Sequence, residues 1–239
     1  MISQEQLNNL VSRYQTTQLN VKREYFQHLF LSYFYQQPQT SSIYFKGGTA
    51  LRILYNSPRF SEDLDFSALF YDTKEIEKAL EETLNQLEKE GINVNIQESK
   101  PTSGGFLANI EFENVEGTVL IQLEISLREG EKSGEVVTVA SDFVPAYTVV
   151  ALASEQLVEE KIQALLSRKK PRDFYDLYFL LRSNLISPTK KSILPQALMV
   201  LKKTDINFEI ELKQFLPKSH WAIIRDFKPN LEREIGRFQ

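Results

Sequence analysis

The sequence predicts an α+β chain: a mixed-sheet lobe with flanking helices over residues 1–150, followed by an α-helical lobe over 151–239. Three observations predict it. Apolar runs of strand type fall in the first half, at Ser42–Lys46, Asp63–Ser67, 92–97, 106–112 and 118–127. Apolar spacing of three and four, the mark of a packed helix, takes over from about residue 153. Charge changes sign at the same place. Residues 1–150 hold 12 Lys and Arg against 21 Asp and Glu, whereas 151–239 hold 16 against 11, so an overall −4 is an acidic −9 beside a basic +5.

The elements follow in order. Ser3 with Gln6 forms a capping box that opens a helix over about 4–15. A second helix over about 20–35 carries Tyr25, Phe26, Phe30, Tyr33 and Phe34 at helical spacing, a buried face. The strand Ser42–Lys46 runs at once into Gly47-Gly48-Thr49 and a helical stretch, Ala50–Leu54. After Pro58, Asp63–Ser67 alternates with period two and reads as the next strand. Asp72 and Glu75 cap an amphipathic helix over about 73–90, which Gly91 ends. Three strands follow, and the most apolar, 118–127, is expected to be central. Helices are expected at 154–168, 172–183 and 190–203, with one or two more beyond; the junction of the lobes falls near 145–153.

Composition excludes several kinds of protein. At 239 residues and 42% hydrophobic the chain has enough for a full core. With no cysteine it can form neither a disulfide scaffold nor a thiolate metal site. Only His28 and His220 exist, so any metal must be held by oxygen. No basic, apolar leader and no apolar run of membrane-spanning length is seen, which gives the expectation of a cytoplasmic protein with no membrane partner.

The densest chemistry lies between residues 46 and 66. Asp63 and Asp65, two apart on a strand, project to one face about 7 Å apart along the chain. Like charges so placed repel unless a cation sits between them, and Mg²⁺ takes one or two carboxylates, with water and substrate phosphate completing its shell. Leu64 and Phe66 point the other way, into a core. Gly47 and Gly48 give a turn free of Cβ atoms whose N–H groups, next to a helix N-terminus, suit a phosphate, and Thr49 adds a hydroxyl. Glu124, flanked by apolar residues, is the expected third acid; its structural alternative is a salt bridge to Arg128 or Arg59.

Gly-Gly-Thr, an Asp-x-Asp strand and a later acid resemble the polymerase-β-like nucleotidyltransferase superfamily. The longer strings from Tyr44 to Leu51 and from Arg59 to Phe66 resemble its AbiEii branch, the nucleotidyltransferase-like toxins of bacterial toxin–antitoxin and abortive-infection systems. A later helical signature agrees, from Glu160 to Arg168 and from Arg172 to Leu181. The resemblance spans 42 to about 181; 1–40 and 185–239 carry no matching motif.

It implies an enzyme. Asp63, Asp65 and Glu124 would bind Mg²⁺, with Mn²⁺ as an alternative, and Glu124 would be the base for the attacking hydroxyl. Gly47, Gly48 and Thr49 would hold nucleotide phosphates, joined by Arg59, Ser61, Arg172 and Asp173. Lys161 would contact the triphosphate, and Asp176 would complete the catalytic set. Thr49 replaces a serine common in the family but keeps the hydroxyl. The implied partners are an NTP, an RNA acceptor (a tRNA 3′ end) and a cognate antitoxin protein.

Other readings remain at this level. A transferase acting on a small molecule, such as an antibiotic, would use the same acids but leave the basic half without a purpose. A metal-dependent nuclease would want a lysine just after the third acid, where Ile125 and Ser126 stand. The elbow Arg168, Lys169, Lys170, Arg172 reads either as a phosphate contact or as a solvated helix end. Asp173 and Asp176, three apart on a helix, read either as site residues or as an internal salt-bridge network.

Overall fold

The computed structural model describes residues 2–68, 72–114, 117–127 and 131–238. They form a mixed α/β architecture with one seven-stranded sheet and, among the described residues, ten α-helices. The chain divides into two compact units: Met1–Asn56 with Phe60–Ala153, and Ser57–Arg59 with Ser154–Gln239.

The first unit is built on the sheet. Its strands are β1 (Ile43–Lys46), β2 (Leu64–Ala68), β3 (Asn93–Thr102), β4 (Gly105–Asn114), β5 (Gly117–Leu127), β6 (Gly134–Val139) and β7 (Tyr147–Leu152), in the spatial order β3-β4-β5-β2-β1-β7-β6. β2 is the middle strand, antiparallel to β1 and parallel to β5. The apolar run 118–127 is therefore interior, beside the middle rather than in it. β6 and β7 are additions to the sequence reading, which placed no element over 128–146 and gave 145–153 to the junction. β7 pairs parallel with β1, and β6 closes that edge antiparallel to β7.

Alternation along the strands splits the sheet into two faces. Phe45, Leu64, Phe66, Phe106, Leu123 and Ile125 are buried on one. Helix α2 (Gln18–Phe34) covers this side: Phe34 lies 5.3 Å from Phe66 and Phe26 stacks on Phe112 at 5.2 Å. Burial of several such rings, about 2–3 kcal/mol each against exposure, fixes the register. Because the side-chain period is two, Lys46, Asp65, Ser67, Glu124 and Ser126 then share the opposite face. Helix α1 (Gln4–Tyr14) opens with the expected capping box, Ser3 and Gln6 satisfying each other's backbone N–H groups. Helices α3 (Gly47–Tyr55) and α4 (Thr73–Lys89) complete the unit. Arg52 on α3 grips Glu24 on α2 through two hydrogen bonds of 3.0 and 3.1 Å and lies 4.0 Å over the Phe60 ring.

The second unit is helical. It holds α5 (Ser154–Arg168), α6 (Pro171–Arg182), α7 (Leu194–Lys203), α8 (Phe208–Leu212), α9 (Trp221–Arg225) and α10 (Phe227–Gly236). Pro171 at the first position of α6 suits a helix start, and Lys169 in the left-handed region (φ 57°) turns the chain out of α5. Phe174, Tyr175, Phe208 and Phe227 form its aromatic centre, with Phe208 and Phe227 rings 4.8 Å apart. Residues 185–239, which carry no sequence motif, thus complete the core around α6.

Candidate active site

Two of the three expected acids are brought together by register alone. Asp65 on β2 stands directly opposite Glu124 on β5, and Lys46 on β1 stands directly opposite Asp65. Adjacent strands lie about 4.8 Å apart, so these side chains form a row across three strands on one face. Glu124 is exposed between buried Leu123 and Ile125. Its apolar flanks therefore do not bury it, and burial does not force a partner on it. Of its two alternative partners, Arg59 pairs with Asp176, and Arg128 lies outside the described residues.

Asp63 is placed differently. β2 begins at Leu64, so Asp63 belongs to the approach and not to the strand. Its backbone carbonyl accepts a hydrogen bond from the Thr49 hydroxyl. Thr49 is fully buried, and in this structure its hydroxyl ties α3 to the β2 approach. Ser61 also faces inward with its backbone, its carbonyl accepting from Gln27 Nε2 at 3.1 Å.

The glycine pair is not an open turn; it forms the first turn of α3. Gly47 has φ +82°, and a Cβ there would lie 2.0 Å from Asp65 Oδ2. Only glycine lets the Asp65 carboxylate come this close to the helix start, where the unpaired N–H groups favour negative charge. That cradle, with hard oxygens on Asp65 and Glu124, suits Mg²⁺, which needs only one or two carboxylates when phosphates supply the rest. Among the described residues no three acids or histidines converge into a metal cage. Asp65 and Glu124 would supply only part of such a shell.

The second signature folds into a charged core within the helical unit. Arg59 reaches Asp176 with Nε at 2.8 Å and Nη2 at 3.0 Å, and Lys161 Nζ lies 2.8 Å from the same carboxylate, at Oδ2. Asp176 and Arg59 are almost wholly buried, and Lys161 is 11% exposed. Burial works to raise the Asp176 carboxyl, but the Arg59 and Lys161 charges outweigh it and hold the group down at about 2. Asp173, buried at the start of α6, accepts from the Lys170 N–H at 3.1 Å and from Arg168 at 2.7 Å. Arg172 pairs with Glu211 at 2.9 Å. The contacts of Asp173, Asp176, Lys161, Arg59 and Arg172 are thus those of the internal network. On the sheet, the sequence reading missed Lys46 and Ser126. Lys46 stood within the motif string, but its burial has no local signal.

A cavity of about 710 Å³ lies elsewhere, between α1, α2 and the 142–147 segment, and includes none of these residues.

Two carboxylates thus stand paired across β2 and β5 of a mixed sheet, beside a helix that starts on glycine. A family profile described as the nucleotidyl transferase AbiEii toxin of type IV toxin–antitoxin systems matches residues 29–234. The chain belongs to the AbiEii nucleotidyltransferase toxin family. Among solved structures, JHP933 from Helicobacter pylori matches with TM-score 0.67 and 19% identity over 93% of each chain. A second H. pylori protein, described as a putative nucleotidyltransferase, matches with TM-score 0.61 and 18% identity over 93% of this chain and 99% of its own. At these identities they establish the fold. No curated protein matches.

Proposed function

We propose that this protein transfers a nucleotide from an NTP to an RNA acceptor, the 3′ end of a tRNA, with Mg²⁺ held by Asp65, Glu124 and Asp63. The observation that carries the reading is the Asp65–Glu124 register pair against Gly47. In the reaction the acceptor hydroxyl oxygen bonds to the α-phosphorus, the bond to the bridging oxygen breaks, and pyrophosphate leaves. Bound Mg²⁺ would supply charge neutralisation for the phosphates. Exposed Glu124 takes the hydroxyl proton. Gly47 and Gly48, at the α3 start, turn backbone N–H groups towards a phosphate. A cognate antitoxin restrains the activity in the cell.

Support for RNA comes from the basic half. Arg168, Lys169 and Lys170 are exposed at the α5–α6 elbow, and phosphate contacts of this kind give affinity without reading sequence. The test is incubation of the protein with total bacterial RNA, Mg²⁺ and each radiolabelled NTP in turn. Label in tRNA-sized species, abolished by Asp65→Ala, is expected. Label that survives in Asp65→Ala defeats the metal-site reading. Activity on a small acceptor with no RNA labelled defeats the RNA reading.

A further inference from the structure

Lys46 ends β1 one residue before Gly47, and lysines at such positions ordinarily stay in water. This one is buried, 6% exposed, and its Nζ donates to Ser126 Oγ at 2.7 Å. Ser126 lies on β5, two strands from β1, two residues past Glu124 and on the same face. The Lys46 stem therefore crosses the middle strand beside Asp65, its register partner. Ser126 in turn donates to the Phe66 carbonyl at 3.1 Å, which fixes the anchor. Between them on β2, the Ser67 hydroxyl is buried and makes no hydrogen bond in the structure.

The chemistry of the row explains why an ammonium is buried here. A charged amine out of water is costly unless opposite charge stands near it. Two carboxylates on neighbouring strands repel unless a positive charge relieves them. Lys46, the register partner of Asp65 and anchored on β5 two residues past Glu124, answers both demands. The same ammonium repels any divalent cation that enters. We propose that Lys46 is a built-in counter-cation of the Asp65–Glu124 row. As a positioning residue it keeps the carboxylates together before a metal arrives. It also weakens capture of a bare ion, so that the ion binds together with the nucleotide's phosphates. The proposal rests on the reading of the row as the metal site.

The test measures Mn²⁺ binding to the full-length protein by electron paramagnetic resonance, without substrate. Lys46→Met keeps the length of the stem and removes the charge, and is expected to bind Mn²⁺ at least about tenfold more tightly than the natural protein. Lys46→Arg, which keeps the charge, is expected to stay near the natural affinity. Unchanged or weaker binding in Lys46→Met overturns the proposal, as does equal tightening in Lys46→Arg. If Lys46→Met does not fold, the natural protein still decides the matter. Its Mn²⁺ affinity is expected to rise at least about tenfold when a non-hydrolysable NTP is added, since the phosphates complete the shell; equal affinity with and without nucleotide overturns the proposal. Asp65→Ala separates the two levels. If it leaves Mn²⁺ binding intact, the metal-site reading falls and the Lys46 role with it. If it abolishes binding while Lys46→Met changes nothing, only the Lys46 role falls.

Discussion

Gly47 shows how little room the site leaves. With φ +82° and a virtual Cβ 2.0 Å from Asp65 Oδ2, Gly47→Ala must strain the backbone and push the carboxylate away. We expect it to lose about 1–3 kcal/mol of stability and most nucleotide transfer, read by thermal melting and labelled NTP incorporation. A melting temperature within error of the natural protein would show that the neighbour yields without cost. Asp65→Asn keeps shape and removes charge. If Asp65 holds the metal, its loss should cost at least about 100-fold in turnover, since changes one shell out from a metal typically cost about 10–100-fold. The strand position of Asp65 was legible because period two is a local signal, whereas Asp63 falls just before the strand and the glycines fall inside the first turn of α3. The burial of Lys46 was not, because nothing near residue 46 reveals that its amine ends on Ser126, 80 residues away. The contact of the Thr49 hydroxyl was hidden for a similar reason, since it donates to a carbonyl 14 residues on.

Among the elements, α6 carries the heaviest electrostatic load. Asp176→Asn leaves Arg59 and Lys161 facing a neutral amide, and removal of one partner from a buried ion cluster costs about 3–5 kcal/mol. Chemical denaturation is expected to show that loss at neutral pH. The pH dependence follows from the same ion cluster. The folded carboxyl, near about 2, lies below its unfolded value of about 3.9. Its contribution is therefore complete above about pH 4 and lost as pH falls from there towards 2. Melting temperatures between pH 2 and 5 should drop less steeply in Asp176→Asn than in the natural protein; equal slopes would show that Asp176 is not the titrating group. His28 adds a second window. Burial holds its imidazole down at about 4, below the unfolded value of about 6.5, so stability declines as pH falls through that interval. The long helices could be read from apolar spacing and caps. β6 and β7 could not, because Tyr147–Leu152 is a six-residue apolar run that fits strand or buried helix equally, and its pairing with β1 is a long-range fact.

For the whole molecule, the net charge of −4 hides the feature that matters, a basic C-terminal part. If Lys169 and Lys170 each neutralise one RNA phosphate, the double variant Lys169→Ala with Lys170→Ala should weaken RNA binding. It should also flatten the dependence of log K on log salt by about 0.7–0.9 for each phosphate that is no longer neutralised. An unchanged slope in filter binding would assign the elbow to solvent. The α/β-then-helix order was readable because composition and period change together near residue 153. The grouping of Ser57–Arg59 with the helical unit was not, since it depends on Arg59 meeting a partner 117 positions later. That separation also has a consequence for how the protein is made. The chain emerges from the ribosome with its N-terminus first, so Arg59 is synthesised long before Asp176 exists. Until translation has passed α6, the guanidinium must remain hydrated, and the segment 57–59 cannot settle. Burial of this charge therefore waits until α6 has been made and released, which ties completion of the helical unit to a late moment in synthesis.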